Sequence, residues 1–273
     1  MTLRLAWFAT GTGTTSPKLL RAGLDAIRSG RLDAEIAVVF CNKEPGEDAM
    51  SDAYCAEVEA AGIPLVRLSD RRFRKDRGGA VARKGEPLPQ WRRDYDREVI
   101  RLLEPYAFDL GMLAGYKLIF GEEASLRWDL LNLHPALPGG PVGIWQDVIW
   151  ELIETGAEHA GVMVHLATPE LDGGPVVTYC AYPLRGPHLD PLWRDVECRT
   201  PEEARTGKGE DLPLFKAIRH AGVAREVPLV IETLRAVADG RIRIENKRVV
   251  DASGNVVEGG YDLTDEIEAL VGR

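Results

Sequence analysis

Cysteine is scarce in this chain: four residues among 273, at positions 41, 55, 180 and 198, with neither CxxC spacing nor the density of a disulfide-stapled secreted scaffold. The expectation is reduced thiols in a cytoplasmic protein. Long apolar runs are missing too. The run from Leu3 to Ala9 is too short for a signal peptide, and nothing approaches the roughly 20 residues that span a bilayer, so no membrane partner is expected. Positive charge is in deficit, with 34 Lys and Arg against 43 Asp and Glu, a formal net charge of -9. Phosphate backbones are recognised by basic surfaces, so general nucleic-acid binding is disfavoured. His134, His159 and His165 show no zinc spacing, which argues against a metal site. Internal repeats and low-complexity tracts are also lacking.

What remains is a globular composition, 45% hydrophobic and 28% charged, in a chain long enough to bury a full core. Leu3 to Ala9 reads as a strand, Pro17 to Ile27 as a helix, Ala34 to Cys41 as a strand, Asp48 to Ala61 as a helix and Pro64 to Leu68 as a short strand. This β-α-β-α-β rhythm with apolar strands predicts an α/β fold, doubly wound around a mostly parallel sheet with a Rossmann-like N-terminal half. Residues 71–90 read as a long basic loop, either simply solvated or a lid for an anionic ligand. A helix at Trp91 to Leu103 and a strand at Phe108 to Ala114 follow. Helical spacing marks Trp145 to Glu154, where Trp145 and Trp150 read as packing residues. Gly161 to Leu166 and Pro175 to Ala181 pair as an antiparallel hairpin. Residues 183–213 form a polar excursion. Leu214 to Ala238 is a C-terminal helix interrupted or kinked near Pro228, and a weak hairpin centres on Ser253-Gly254-Asn255. The expected organisation is one α/β domain over residues 1–240 with an extension, 241–273, packed on it.

Chemistry concentrates in a few places. Leu130 to Leu133 is a short buried strand that Pro135 must end, so Asn132 and His134 sit at its tip on one face, an amide donor beside an imidazole. The turn from Thr10 to Ser16, before a helix, is either a tight strand-to-helix connection or a nest of backbone donors for an anion, with Gly11, Gly13, Thr14 and Thr15 as candidates. Lys117 is charged where the fourth strand runs out. In open α/β sheets ligands sit beyond the carboxyl ends of strands, so these turns can share a cleft, and a carboxylate on the loop from Thr168 to Gly174, Asp172, can join them.

Asn132-x-His134-Pro135-Ala136-Leu137-Pro138, Gly161-x-x-Val164-His165 and Glu170-Leu171-Asp172-Gly173-Gly174-Pro175-Val176, in this order and spacing, resemble the folate-dependent formyltransferase family. Arg93-Asp94-Tyr95-Asp96-Arg97-Glu98 and Leu113-Ala114-Gly115-Tyr116 are similar to its glycinamide ribonucleotide formyltransferase-like branch. The resemblance runs from about residue 3 to 180, with an echo at Pro228 to Ile231 and Ala238 to Arg241. It implies the formyltransferase fold, 10-formyltetrahydrofolate as formyl donor, and transfer to an amine of a small-molecule acceptor, with Asn132, His134 and Asp172 as catalytic residues. It also implies that Leu118, Ile119, Phe120, Ala167, Thr168, Glu170 and Leu171 hold the folate head. Arg92 meets the folate glutamate tail or is solvated. Gly11, Gly13, Thr14, Thr15 and Lys117 hold the acceptor. For His165, a supporting role stands level with a catalytic one.

Departures from the family pattern gather on the acceptor side. Additional residues occupy Ser16 to Leu19, Ala136 stands where serine usually follows His-Pro, Gly143-Ile144-Trp145-Gln146 replaces a histidine-containing segment, and the family's ribose-binding glutamate falls near Val223. The expected acceptor is therefore not standard glycinamide ribonucleotide. A hydrolytic relative using water, as in formyltetrahydrofolate deformylase, and a noncatalytic folate- or anion-binding protein are the alternatives. Sugar-nucleotide amine formyltransferases carry similar motifs, but no nucleotide-sugar pocket is evident. Oligomeric state is left open.

Overall fold

A computed structural model of the chain describes residues 2–81, 87–169, 173–197, 201–207 and 209–272. The N-terminal half alternates strand and helix: β1 (Leu3–Ala9), α1 (Thr15–Arg28), β2 (Ala34–Cys41), α2 (Ala49–Ala60), β3 (Leu65–Arg67), α3 (Asp70–Asp76), α4 (Gln90–Leu103), β4 (Leu110–Leu113), α5 (Glu122–Arg127) and β5 (Leu130–His134). Then come α6 (Trp145–Glu154), β6 (His159–Leu166), β7 (Val176–Pro183), α7 (Asp190–Glu197), α8 (Pro201–Gly207) and α9 (Pro213–Ala238). The chain closes with β8 (Ile242–Glu245), β9 (Arg248–Asp251), β10 (Tyr261–Asp262) and α10 (Thr264–Val271). The described residues form an eight-stranded sheet in the order β10-β7-β6-β5-β4-β1-β2-β3 and a two-stranded β8-β9 ribbon.

Strands β3, β2, β1, β4 and β5 are mutually parallel, and β6 and β7 are added antiparallel. The order reverses at β1, which lies between β2 and β4, as expected of a doubly wound sheet. Both sheet faces are covered, which is why β1, β2 and β4 are apolar nearly throughout. On one face Trp7 and Cys41 pack with Leu19 and Leu20 of α1, Val58 of α2 and Leu229 to Ile231 of α9. On the other, Phe8 and Phe40 pack with Trp91, Tyr95 and Val99 of α4. A separate cluster joins α6, α7 and the start of α9 through Trp150, Trp193 and Phe215.

Three sequence expectations change. The basic stretch 71–90 begins as helix α3, because Ser69 accepts a hydrogen bond from the Arg72 amide at 3.0 Å and Phe73 buries its ring edge-on against Tyr95. The excursion 183–213 holds α7, α8 and a short 3-10 turn at Gly209–Asp211. Helix α9 continues through Pro228 without interruption: its first half is buried in the α6–α7 cluster and its second half against the sheet, so packing outweighs the hydrogen bond that proline removes. In the tail, the expected turn at Ser253-Gly254-Asn255 is present, with Val250 bridged antiparallel to Val256 and Asp251 accepting from the Ser253 and Asn255 amides, and the β8–β9 ribbon adds a turn at Asn246-Lys247, both left-handed. Beyond these, β10 joins the sheet edge beside β7, and Arg225 of α9 makes a two-pronged ion pair with Glu268 of α10 at 2.6 and 2.8 Å. No described helix is long and apolar enough to cross a membrane.

Candidate active site

A cavity of about 530 Å³ opens where the turns after β1 and β4 and the end of β5 meet. Glycine makes this meeting possible. Gly11 (φ +74°) brings the first turn onto α2, where a side chain would press on the backbone of Ser51 at 3.1 Å, and Gly115 (φ +73°) lies so close to Ser16 that a Cβ would clash. The two turns are laced together: the Thr10 amide donates to the Gly115 carbonyl at 3.3 Å, and the Lys117 amide to Thr10 Oγ1 at 3.0 Å.

Strand β5 supplies the polar pair. Asn132 lies opposite His165 in the antiparallel β5–β6 register, and His134 opposite Met163. His165 Nδ1 lies 3.0 Å from the Leu166 carbonyl, which can only accept, so Nδ1 carries the hydrogen and Nε2 the lone pair. That lone pair faces Asn132 Nδ2 at 3.1 Å, so the Asn132 amide donates and its orientation is fixed. The second amide hydrogen of Asn132 has no partner among the described residues. The same argument places a hydrogen on His134 Nε2, 2.8 Å from the Pro141 carbonyl. The two imidazoles stand edge to face, 6.3 Å apart.

Among the anticipated residues, Gly13, Thr14, Thr15, Lys117, Leu118, Ile119, Phe120, Asn132, His134, Ala167 and Thr168 line the cavity. Gly11 shapes the turn from behind. Arg92 is a correction: it is 2% exposed and does not line the cavity, because its Nη2 donates to the Ile119 carbonyl at 2.6 Å and pairs with buried Asp96 at 3.2 Å. Asp96 in turn accepts from the Gly121 amide at 2.7 Å, so the pair clamps the backbone on either side of Phe120. Burial pushes the Asp96 carboxyl up to about 6, against the pull of Arg92 and the Gly121 amide. Glu170, Leu171 and Asp172 lie outside the described residues, as do residues 82–86 of the basic stretch; no described residue of 71–90 reaches the cavity.

Among the further lining residues are His165, Trp145, Arg219 and Glu226. Arg219 and Glu226 come from the middle of α9, where their Nη1–Oε1 ion pair measures 2.6 Å. The Arg219 guanidinium lies over the Trp145 ring, 4.5 Å from its centre, and Trp145 rests on Phe215. Seven residues apart on one helix, they share a face, but no local signal marks that face as the one turned to a ligand.

The formyl transferase family profile matches residues 3–185. The chain is 30% identical over 168 residues to a phosphoribosylglycinamide formyltransferase of Escherichia coli, covering 60% of this chain and 68% of that protein. It is 29% identical over 187 residues to the enzyme of that name from Dictyostelium discoideum, covering 65% and 82%. Among solved structures, a phosphoribosylglycinamide formyltransferase from Coxiella burnetii shares the fold at a TM-score of 0.65 and 22% identity, over 96% of this chain and 99% of that one. A formyltetrahydrofolate deformylase from Pseudomonas syringae shares it at 0.60 and 18%, over 92% and 66%.

Proposed function

This chain belongs to the formyl transferase family, and we propose from that premise that its cavity transfers a formyl group from 10-formyltetrahydrofolate to an amine of a small-molecule acceptor. One observation carries the reading: an Asn132 amide held in a single orientation by His165, beside His134, at the end of a strand that opens into the cavity.

The donor fits the walls on one side. Leu113, Leu118, Ile119, Phe120 and Ala167 give an apolar slot for a flat heteroaromatic head, edged by backbone polar groups that the Arg92–Asp96 clamp holds in place. Bound there, 10-formyltetrahydrofolate supplies an activated formyl carbon. Asn132 donates its uncommitted hydrogen to the formyl oxygen as charge builds on it, in a site shielded from water. His134 supports the same charge when protonated, and its ring is the base assigned to the proton that the attacking amine loses. The new C–N bond forms as the bond to the folate nitrogen breaks, and the proton ends on that nitrogen. Asp172 is assigned the carboxylate role beside His134.

The acceptor differs from the phosphoribosylglycinamide in the relatives' names. The family match ends at residue 185, while α9 adds Arg219 and Glu226 to the cavity and Trp145 stands in a segment that departs from the family pattern. The test is incubation with 10-formyltetrahydrofolate, alone and with a panel of amines, following tetrahydrofolate release. Amine-dependent release with formylated product supports transfer. Release that ignores amine makes water the acceptor, and folate binding with no release leaves only a binding protein; either result removes the transferase reading.

A further inference from the structure

The α9 wall of the cavity carries an arginine prepared for a ligand that the transfer chemistry does not account for. Stacking on Trp145 at 4.5 Å fixes the plane of the Arg219 guanidinium, and the 2.6 Å ion pair of Nη1 with Glu226 fixes its rotation within that plane. Nε and Nη2, the donors along the remaining edge, have no hydrogen-bond partner among the described residues. The Arg219 side chain is 27% exposed, so this edge is neither sealed in the core nor free in bulk water. An arginine held this way has already lost its rotamer freedom, and its open edge matches the two oxygens of a carboxylate or phosphate.

Local charge points the same way. Among the described residues lining the cavity, Lys117 and Arg219 outnumber Glu226, so the lining carries an excess of positive charge in a chain whose net charge is -9. Glu226 meets the guanidinium at Nη1, so an oxyanion on the Nε–Nη2 edge binds away from the carboxylate. Both α9 residues lie beyond residues 3–185, the part that the family profile matches.

We propose that the acceptor amine carries a carboxylate or phosphate group and that Arg219, held by Trp145 and Glu226, is the residue that reads it. The inference rests on the formyl-transfer reading only in calling that ligand the acceptor.

The experiment uses the full chain and probes of graded length. Isothermal titration of the tetrahydrofolate-loaded protein compares ω-amino carboxylates of two to six carbons with their neutral amides, and ω-aminoalkyl phosphates with the corresponding amino alcohols. Wild type is expected to prefer the anion by about 10- to 100-fold at the best chain length, the value of charge-assisted hydrogen bonds. Which series wins separates carboxylate from phosphate. Arg219→Gln should bring the preference close to one, and Arg219→Lys, which keeps charge but not the edge, should retain about a tenth of it. Tetrahydrofolate titration of each variant reports whether it is folded, and the lysine variant carries the test if the glutamine variant is not. Equal affinity for anion and neutral partner at every length, or an unchanged preference in both variants, overturns the proposal even if amines are formylated. A preference that Arg219 controls, with no amine formylated in the parallel turnover assay, upholds recognition by Arg219 and removes the transfer reading instead.

Discussion

The turn from Leu113 to Phe120 and the middle of α9 face the same cavity but are held by different means. The turn is fixed from behind: Arg92 and Asp96, both buried, bind the Ile119 carbonyl and the Gly121 amide, so the wall facing the donor is backbone and apolar side chain. On α9, the charged pair itself faces the cavity and is steadied from the side by Trp145. A site of the first kind tolerates one ligand shape, because moving the backbone means breaking a buried ion pair. A site of the second kind changes its ligand through two or three side chains.

Between these walls lies the polar pair of β5, and the largest expected effect belongs there. Asn132→Ala should lower kcat by about 100- to 1000-fold with any amine the protein formylates, the usual cost of losing one donor to a developing oxyanion. Folate affinity, set on the turn side, should change little. A loss confined to KM would show that Asn132 only binds ground states and would erase the distinction between this pair and its two walls.

The donor side can be tested through pH. Asp96 has a folded-state carboxyl at about 6 against an ordinary 3.8, raised by burial. The folded protein therefore holds the extra proton, and the stability linked to Asp96 is fully present below pH 3.8 and lost as pH rises through 6. Urea unfolding of wild type and Asp96→Asn should show the difference between them shifting by about 2–3 kcal/mol in favour of wild type on going from pH 7 to pH 4. A difference constant across that range would mean that the clamp does not titrate. The turn side would then owe nothing to the burial of Asp96.

How far the sequence exposes these features depends on whether a signal is local. Asn132 and His134 were legible because Pro135 ends an apolar strand and two-residue spacing puts both on one face. The parallel sheet followed from the strand and helix rhythm. His165 was ambiguous, since alternation shows that it shares a face with Met163 but not that the antiparallel register sets it opposite Asn132. Arg92 was misread because an arginine in a basic helix looks the same whether solvated or sealed over a loop 27 residues away. Helix α3 was hidden by its charges, with only Phe73 to reveal an inner face. Arg219 and Glu226 carry no motif, and their contact with the cavity is set by how α9 crosses from one cluster to another. Asp172, the sequence candidate for a carboxylate, lies outside the described residues, and its role belongs to the proposed mechanism.

A smaller effect should follow at His165, which acts through Asn132. His165→Ala frees the amide to rotate, and a decrease of about tenfold in kcat is expected, since Asn132 remains able to donate but is no longer held in one orientation. His165→Gln, which offers the amide another acceptor, should recover part of the loss. If His165→Ala were as damaging as Asn132→Ala, His165 would itself touch the reacting group, and the polar pair would be a triad on two strands.

The smallest effect tests the α9 wall without removing its charges. Trp145→Ala takes away the ring beneath Arg219 while leaving the ion pair with Glu226, and a cation–π contact at a partly exposed site is worth about 0.5–2 kcal/mol. Affinity for the anionic amine probes should fall about 3- to 20-fold, that for the neutral partners should hold nearly constant, and Trp145→Phe should restore most of the loss. Equal losses for anionic and neutral probes would mean that Trp145 serves the wall through its packing on Phe215 alone. The arginine's orientation would then rest on Glu226, and the α9 wall would be clamped by a single ion pair, as the turn side is by Arg92 and Asp96, rather than steadied from the side.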